Sequence, residues 1–500
     1  MKINKSIVCL AGMLFGLSAQ SAPADAAKAN DEHAVPDYRT VRIASFKTVI
    51  SPEVGAKICG YDADQVSVTK HDDLWAIGLA VDDGTSKALI VTFDLVGMDG
   101  ETIRPLRRKC AQSFGVPESS VLFSCTHNHS GPESVRRFNM PQFINRPYLD
   151  FLETQLLKSV GSLKDAKWTT CRVLFNSAFP DENYNRRYLT SDNCATFVPL
   201  RREYQSLCRQ HNICDKELGL LLFYEEGRVS GGDGPIFVVG NYAAHVLSSH
   251  SPALGGIRIS ADFPGYFRDY IRSETGADAM FIQGASGDVC PNGDEEGMGA
   301  ARQTGERLAR AAINAMCDAD RNRMRFYVTK PTLASSIRQL KLPIRSDLRG
   351  RIQPEFDGSD EMMVEVQCLS IGDVAFAGMP GELLVEPGLE IKWNSPYRRT
   401  WIANLSTGFC GYMSPPNFMV AGGYEPLKQS FRSRGTFRLV SETVDQLFEL
   451  RAQAFPEDCR DADPYPDNLT QPVVNIPEGV KYRKVKAAKR PLPRLHAIKE

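Results

Sequence analysis

Apolar residues along the chain fall into two kinds of run, and their alternation predicts a layered α/β protein. Val41-Arg42-Ile43-Ala44 opens the first run and Leu74 to Val81 follows, while Ala88-Leu89-Ile90-Val91-Thr92-Phe93-Asp94 is almost wholly apolar and ends on a carboxylate. Strands apolar at nearly every position are buried on both faces, so a central sheet covered by helices is expected. Glu101 to Phe114 and Tyr148 to Leu163 instead carry apolar residues at helical spacing, the second with Phe151, Leu152, Leu156, Leu157 and Val160 on one face. The order strand, helix, strand from Ala88 to Cys125 predicts a parallel pair with a right-handed crossover. Further on, Arg172 to Phe175 reads as a strand, and Leu220 to Phe223 and Ile236 to Gly240 flank Gly231-Gly232-Asp233-Gly234 as a hairpin. Met280 to Gly284 is another apolar strand, and Gly299 to Met316 an amphipathic helix. Ile371-Gly372-Asp373 is a hairpin turn before the strand Val374 to Met379. Residues 190–217 are polar and read as an insertion or long loop. The expected fold class is α/β, with mixed and mostly buried sheets covered by helices in one large catalytic domain.

Composition narrows the class. With 42% hydrophobic and 24% charged residues over 500 positions, the bulk of the chain folds, and a net charge of −1 gives it no electrostatic reason to seek nucleic acid. Lys2 and Lys5 precede an apolar run from Ile7 to Leu17 and then small residues through Ala24-Asp25-Ala26, the pattern of a cleaved secretory leader over residues 1–26. That run is too short for a stop-transfer helix, and no other stretch nears the ~20 apolar residues a membrane span needs. A secreted or periplasmic protein with no transmembrane segment after cleavage is therefore expected. The catalytic domain is set at 27–455 and an extended basic tail at 456–500. Cys9 lies in the leader, so thirteen less one leaves twelve cysteines in an oxidising compartment. Some disulfides are expected, with Cys194, Cys208 and Cys214 the first place to look. No C-x-x-C pair supports a cysteine metal knuckle.

The chemistry centres on Thr126-His127-Asn128-His129-Ser130-Gly131-Pro132, directly after the apolar run Val121 to Cys125. In a strand alternate side chains share a face, so His127 and His129 are expected to project together. Histidines at a strand end can be ordinary surface groups, but only eight occur in the chain and these two stand where an apolar strand breaks. His245 follows a second strand, with His250 its runner-up. Glu382 follows a third, where an acid can equally mark a helix N-terminus. His127, His245 and Glu382 make a His₂-carboxylate set suited to catalytic zinc with an open position.

The heptapeptide 126–132 resembles the Thr-His-x-His-Ser-Gly-Pro motif of the neutral/alkaline non-lysosomal ceramidases, zinc amidases that cleave the N-acyl bond of ceramide. Further blocks follow in the same order over residues 40–430: Asn185-Arg186, Asn241-Tyr242-Ala243-Ala244-His245, Ile259-Ser260-Ala261-Asp262, Gly287-Asp288-Val289-Cys290-Pro291-Asn292, Pro380-Gly381-Glu382, then Gly411-Tyr412 and Tyr424-Glu425. The resemblance implies zinc held by His127, His245, Glu382 and Tyr412, with Arg186, Asp288 and Tyr424 facing the substrate. A competing register places Phe409 where Tyr412 is assigned, and phenylalanine cannot bind a metal. Asp262 is either a helix cap or an orienter of a ligand. At position 290 the family has serine. The thiol of Cys290 is a poorer hydrogen-bond donor but a better nucleophile once ionised, and a disulfide or packing role is the alternative. The immunoglobulin-like domain that follows the catalytic one in ceramidases is expected to be absent, since it needs ~100 residues.

Zinc in such a site polarises a scissile carbonyl and activates water, and His129, beside a ligand, is placed to shuttle a proton. Tyr424 and Arg186 are placed to hold the developing oxyanion or the substrate. The expected activity is zinc-dependent hydrolysis of a linear amide. The substrate is a small-molecule or lipid N-acyl amide, with peripheral membrane contact in the lipid case. Two alternatives stand beside it: a same-site hydrolase of a non-lipid amide or ester, and an exported binding protein without activity.

Overall fold

The apolar runs become the strands of two stacked sheets. The computed structural model describes residues 40–456 except 62–64, 137–144, 190–194, 198–212, 228–233, 250–256, 293–296, 322–326, 329, 350–351, 354–355 and 358. It divides the chain after Asp37, and only the second unit is described below. The leader, His250, the tip of the predicted hairpin at 231–233 and the tail beyond Pro456 lie outside these residues.

Strands β1 (Val41–Val49), β2 (Lys57–Ile58), β3 (Gln65–Lys70), β4 (Trp75–Asp82), β5 (Lys87–Phe93), β6 (Val121–Cys125), β7 (Thr169–Ala178), β8 (Asn183–Asn185), β9 (Leu218–Glu225), β10 (Phe237–Tyr242), β11 (Ile257–Ile259), β12 (Asp278–Gln283) and β13 (Val289–Pro291) come first in the chain. The larger sheet has the order β12-β10-β9-β7-β1-β4-β5-β6. It is mixed: β5 and β6 run parallel, as do β10 and β12, while β9 and β10 form the expected antiparallel pair. Strands β14 (Leu333–Pro343), β15 (Glu361–Ile371), β16 (Val374–Gly378) and β18 (Arg399–Ala403) form the second sheet in that order. Between the last two in sequence lies β17 (Glu382–Leu383), which pairs with β19 (Tyr412–Met413). The β15–β16 turn holds Gly372 at φ +58, a left-handed conformation that favours glycine.

Alternate residues of each strand feed different cores. Ile77, Leu79, Ala88 and Ile90 face Leu369, Ile371, Phe376 and Trp401 of the second sheet. Their neighbours Ala76, Leu89, Val91 and Phe93 face Ile103 and Leu106 of α1 (Gly100–Phe114) and Leu152 and Leu156 of α2 (Arg146–Ser162). Toward β12 the covering helices are α3 (Asp262–Thr275) and α4 (Met298–Arg321), through Phe263, Phe267 and Leu308. The second sheet is covered by α5 (Val385–Asn394) and α6 (Arg434–Ala454), through Ile391, Leu439 and Leu447. The result is four layers, helix, sheet, sheet, helix. Each fully buried aliphatic or aromatic side chain contributes ~1.5–3 kcal/mol, so a one-residue slip of a strand would exchange two cores at once.

Three expectations need correction. Phe151, expected on the buried face of α2, is exposed, because that face is centred on Leu152, Leu156 and Val160. Within the stretch 190–217, expected as an insertion or long loop, residues 195–197 form a short strand antiparallel to 187–189, where Ala195-Thr196-Phe197 restores a β-prone run. Among the described residues the cysteines are free thiols, Cys214 included, while Cys194 and Cys208 lie outside them. Cys110, Cys125 and Cys368 are packing residues in the cores, and burial pushes the Cys110 thiol up to about 12.

The carboxyl ends of β5, β6, β10, β12, β16 and β18 converge. Thr126 N donates to Phe93 O (2.8 Å), Asn404 N to Gln283 O (2.9 Å) and Met379 N to Ala403 O (2.9 Å), which stitches both sheets together at one rim.

Candidate active site

The loop that bears the first two histidines is not a continuation of its strand. β6 stops at Cys125, and His127 takes φ +66, a left-handed conformation rare for a non-glycine residue. The kink, rather than strand alternation, turns the two rings toward each other, with 3.2 Å between their Nε2 atoms. Such backbone costs ~1–3 kcal/mol and persists only where its surroundings hold it. Asn128 does so: its Nδ2 donates to Asp94 O (3.2 Å) and Ser260 O (2.8 Å), and its Oδ1 accepts from Ser130 N (2.9 Å). His129 N donates to Val246 O (2.9 Å), tying this loop to the one that carries His245.

Glu382 and Tyr412 occupy paired positions of the parallel ladder β17–β19, so both side chains leave the same side. A Cβ on Gly381 would lie 2.5 Å from Gly411 O, which is why glycine precedes the glutamate. Phe409, from the competing register, packs by Gly97 and Leu405 instead.

The three ligand candidates meet with their lone pairs facing. His127 Nδ1 lies 2.8 Å from Val96 O and His245 Nδ1 2.6 Å from Ser286 O. A carbonyl only accepts, so by the bonding pattern each Nδ1 carries the proton and each Nε2 is left bare in the neutral ring. Those Nε2 atoms stand 3.2 and 3.3 Å from one oxygen, Glu382 Oε2, which has no hydrogen-bond donor among the described residues. Burial, with Arg186 nearby, holds His245 down at about 4, so it is neutral near pH 7. Bare nitrogens and a carboxylate oxygen sharing one buried point repel unless a cation lies among them. Their spacing is the edge of a tetrahedron whose ligands lie about 2.0–2.1 Å from its centre. The residues fit a metal ion, and His127, His129 and His245 form a buried group able to hold one.

His129 is also kept neutral, well below its ordinary value, first by burial and then by His127 and His245. Arg186 closes the other side. Its Nη1 is 3.3 Å from His245 Nε2, and its Nη2 donates to Tyr412 Oη (3.2 Å) and Gly287 O (2.8 Å). The Tyr412 and Tyr424 rings meet edge to face at 5.7 Å, and the guanidinium lies 5.7 Å from each. Cys290, opposite Tyr184 in the β8–β13 pair, brings Sγ to 4.0 Å from Arg186 Nη1. It is a free thiol, which removes the disulfide reading, and burial raises its pKa despite Arg186, so it stays protonated.

Asp288 is bonded to the backbone and side chain of the neighbouring loops. Its Oδ1 accepts from Val385 N (2.9 Å) and its Oδ2 from Asn185 Nδ2 (2.7 Å), so its carboxylate holds the loops that deliver Arg186 and Glu382. Asp262 likewise bonds Ser249 N (2.7 Å) and Phe263 N, at the start of α3. Glu425, quoted in the sequence only as the neighbour of Tyr424, is the residue to which the sequence reading gave no role. It accepts from Arg186 Nε (2.9 Å) and Arg187 Nη1 (2.6 Å), with 1% of its side chain exposed. An acid directly after an aromatic at a glycine pair, matched by two adjacent arginines upstream, was the available signal.

No family model and no curated protein sequence matches the chain. Among solved structures it is similar to the neutral ceramidase from Pseudomonas aeruginosa, at TM-score 0.67 and 17% identity over 83% of this chain and 75% of that one. A ceramidase complexed with C2 matches at TM-score 0.67 and 15% identity, over 83% and 76%. At such identity the likeness is one of architecture, and the four-layer domain with its rim of strand-end histidines has the fold of the neutral ceramidases.

Proposed function

We propose that the chain is an exported zinc-dependent amidohydrolase that cleaves an N-acyl bond, either ceramide-like or in a shorter N-acyl amide. What supports the reading is one observation above all: two bare imidazole nitrogens and a donorless carboxylate oxygen converge within 3.2–3.3 Å in a buried site. His127, His245 and Glu382 would hold the zinc, with the Tyr412 hydroxyl beside them. Zinc bound there supplies Lewis-acid polarisation of the scissile carbonyl and makes water a nucleophile at neutral pH. His129 takes a proton at Nε2 and returns it to the leaving amine, a role open to it because it enters neutral. Arg186, held rigid by Glu425, and Tyr424 place positive charge and a hydroxyl where negative charge develops on the acyl oxygen.

The acyl group docks on the short helix Pro416–Ala421, where Phe418 and Met419 are half-buried and Val420 is 90% exposed. Each buried methylene contributes only ~0.8 kcal/mol, so so small a surface favours one short chain over the two long chains of ceramide. In the lipid case this helix and Leu427, 70% exposed, are the points of peripheral membrane contact.

The test measures zinc content and kcat/KM for a soluble short-chain N-acyl amide and for long-chain ceramide in detergent. About one zinc per chain, lost with activity in His127→Ala and Glu382→Ala, is expected. Full zinc in both variants would sink the ligand assignment. A preference of about tenfold or more for ceramide would overturn the short-chain reading.

A further inference from the structure

His129 is the one site histidine whose second ring nitrogen is not fixed by a hydrogen bond. Its Nδ1 is buried and has no hydrogen-bond partner among the described residues, whereas His127 and His245 each lean on a carbonyl. On its Nδ1 side the ring is therefore held by packing, and the packing comes from about seventy residues upstream. The segment β2 runs beside the histidine loop: Cys59 N donates to Gly131 O (3.2 Å), Glu133 N to Lys57 O (2.9 Å), and Ile58 bridges Pro132. The loop leaving β2 then crosses the His129 ring. A Cβ on Gly60, whose φ is +103, would lie 2.5 Å from His129 Nδ1 and 2.7 Å from Cγ, so the imidazole stands directly on the glycine backbone. The next residue, Tyr61, sets its ring edge-on to the imidazole, centroids 5.4 Å apart at 75°.

We propose that Gly60 and Tyr61 are positioning residues that brace the His129 imidazole from its Nδ1 side, so that Nε2 alone faces the centre of the site. The glycine permits the close approach, and the tyrosine ring blocks rotation about the Cβ–Cγ bond. The β2–β3–β11 sheet supports the brace, since β3 pairs β2 on one side and β11 on the other, and Ser260, following β11, returns N–H to Ser130 O (3.3 Å). The inference rests on the proton-carrying role proposed above for His129.

The test compares Tyr61→Ala, Tyr61→Phe and Gly60→Ala with the full-length wild type, each for zinc content, kcat and KM on a short-chain N-acyl amide, and His129 ring orientation in a crystal structure. Tyr61→Ala is expected to keep its zinc and its KM, to lose at least about tenfold in kcat, and to show the ring turned away from His127. Tyr61→Phe keeps the aromatic wall and should stay within about twofold of wild type in kcat. Gly60→Ala should act in the same direction as Tyr61→Ala, and where it fails to fold the tyrosine pair decides. An unmoved ring with unchanged kcat in Tyr61→Ala overturns the proposal. Loss of zinc together with kcat also overturns it, because the segment would then anchor the metal site as a whole. Tyr61→Phe as weak as Tyr61→Ala would assign the work to the hydroxyl instead. A wild type inactive on N-acyl amides would refute the amidase reading by itself, while the ring orientation would still decide the brace.

Discussion

Replacing Glu425 by glutamine tests whether one buried carboxylate organises the cationic side of the site. Glu425 is 1% exposed and bonds Arg186 and Arg187, whose side chains are 4% and 5% exposed. Glutamine keeps the shape and one acceptor oxygen, but it turns an amide toward one guanidinium and removes the carboxylate that the two buried guanidinium groups share. Removing one partner from a buried ionic cluster costs ~3–5 kcal/mol. For a folded unit of this size the unfolding entropy is about 0.9 kcal/mol/K, so Tm should fall by about 3–6 °C. Catalysis should fall too, because Arg186 also reaches Tyr412 and His245; at least about tenfold in kcat/KM is expected when that guanidinium is released. Calorimetry and steady-state kinetics read the two effects. Adding Arg187→Met removes the surplus charge, and the double variant should recover at least ~1 kcal/mol of the loss. Burial acts to raise the Glu425 carboxyl, but Arg186 and Arg187 outweigh it and hold it below the ordinary 4.5. Its contribution is therefore complete above the unfolded pKa and is lost as pH falls through the lower folded value. Wild type and Glu425→Gln should differ fully at neutral pH and converge only in acid. A variant within about 1 °C of wild type, with unchanged kinetics, would refute the argument.

Two further outcomes follow from the same geometry. Cys290→Ser should keep activity within about tenfold, ~1.4 kcal/mol of barrier, because the buried thiol is protonated and serves as a neighbour of Arg186; complete loss, or a thioester trapped and seen by mass spectrometry, would show that the sulfur attacks. Burial raises Asp262 to about 6 from 3.8, so its proton is bound more tightly in the folded state, and the stability this lends below pH 4 is lost as pH rises through 6, by about 3 kcal/mol in all. Chemical denaturation of wild type and Asp262→Asn at pH 4 and pH 7 should show that difference in slope, and parallel profiles would exclude it.

The layers of this protein were readable in its sequence because burial on both faces leaves a mark at every position. Ala88 to Phe93 had to be a covered strand, Gly372 had to turn a hairpin, and Leu152, Leu156 and Val160 had to share a helix face. Each of these depends on neighbours a few residues away. The residue types of the site were readable for a related reason: histidines and a glutamate at the ends of apolar strands stand out against their surroundings, and the resemblance of the blocks put them in order. Their geometry was not readable. The left-handed turn at His127 exists because Asn128 is held by Asp94 and Ser260, one just past the end of β5 and one more than a hundred residues away. Glu425 binds arginines more than two hundred residues upstream, and Gly60 meets His129 only because β2 lies along the histidine loop. The cysteines, counted as an even set, suggested bridges, yet the layers place Cys125 and Cys368 in different cores. Periodicity records which face of an element is buried, but carries no record of which element it is buried against, and the distances of the site are set by those partners.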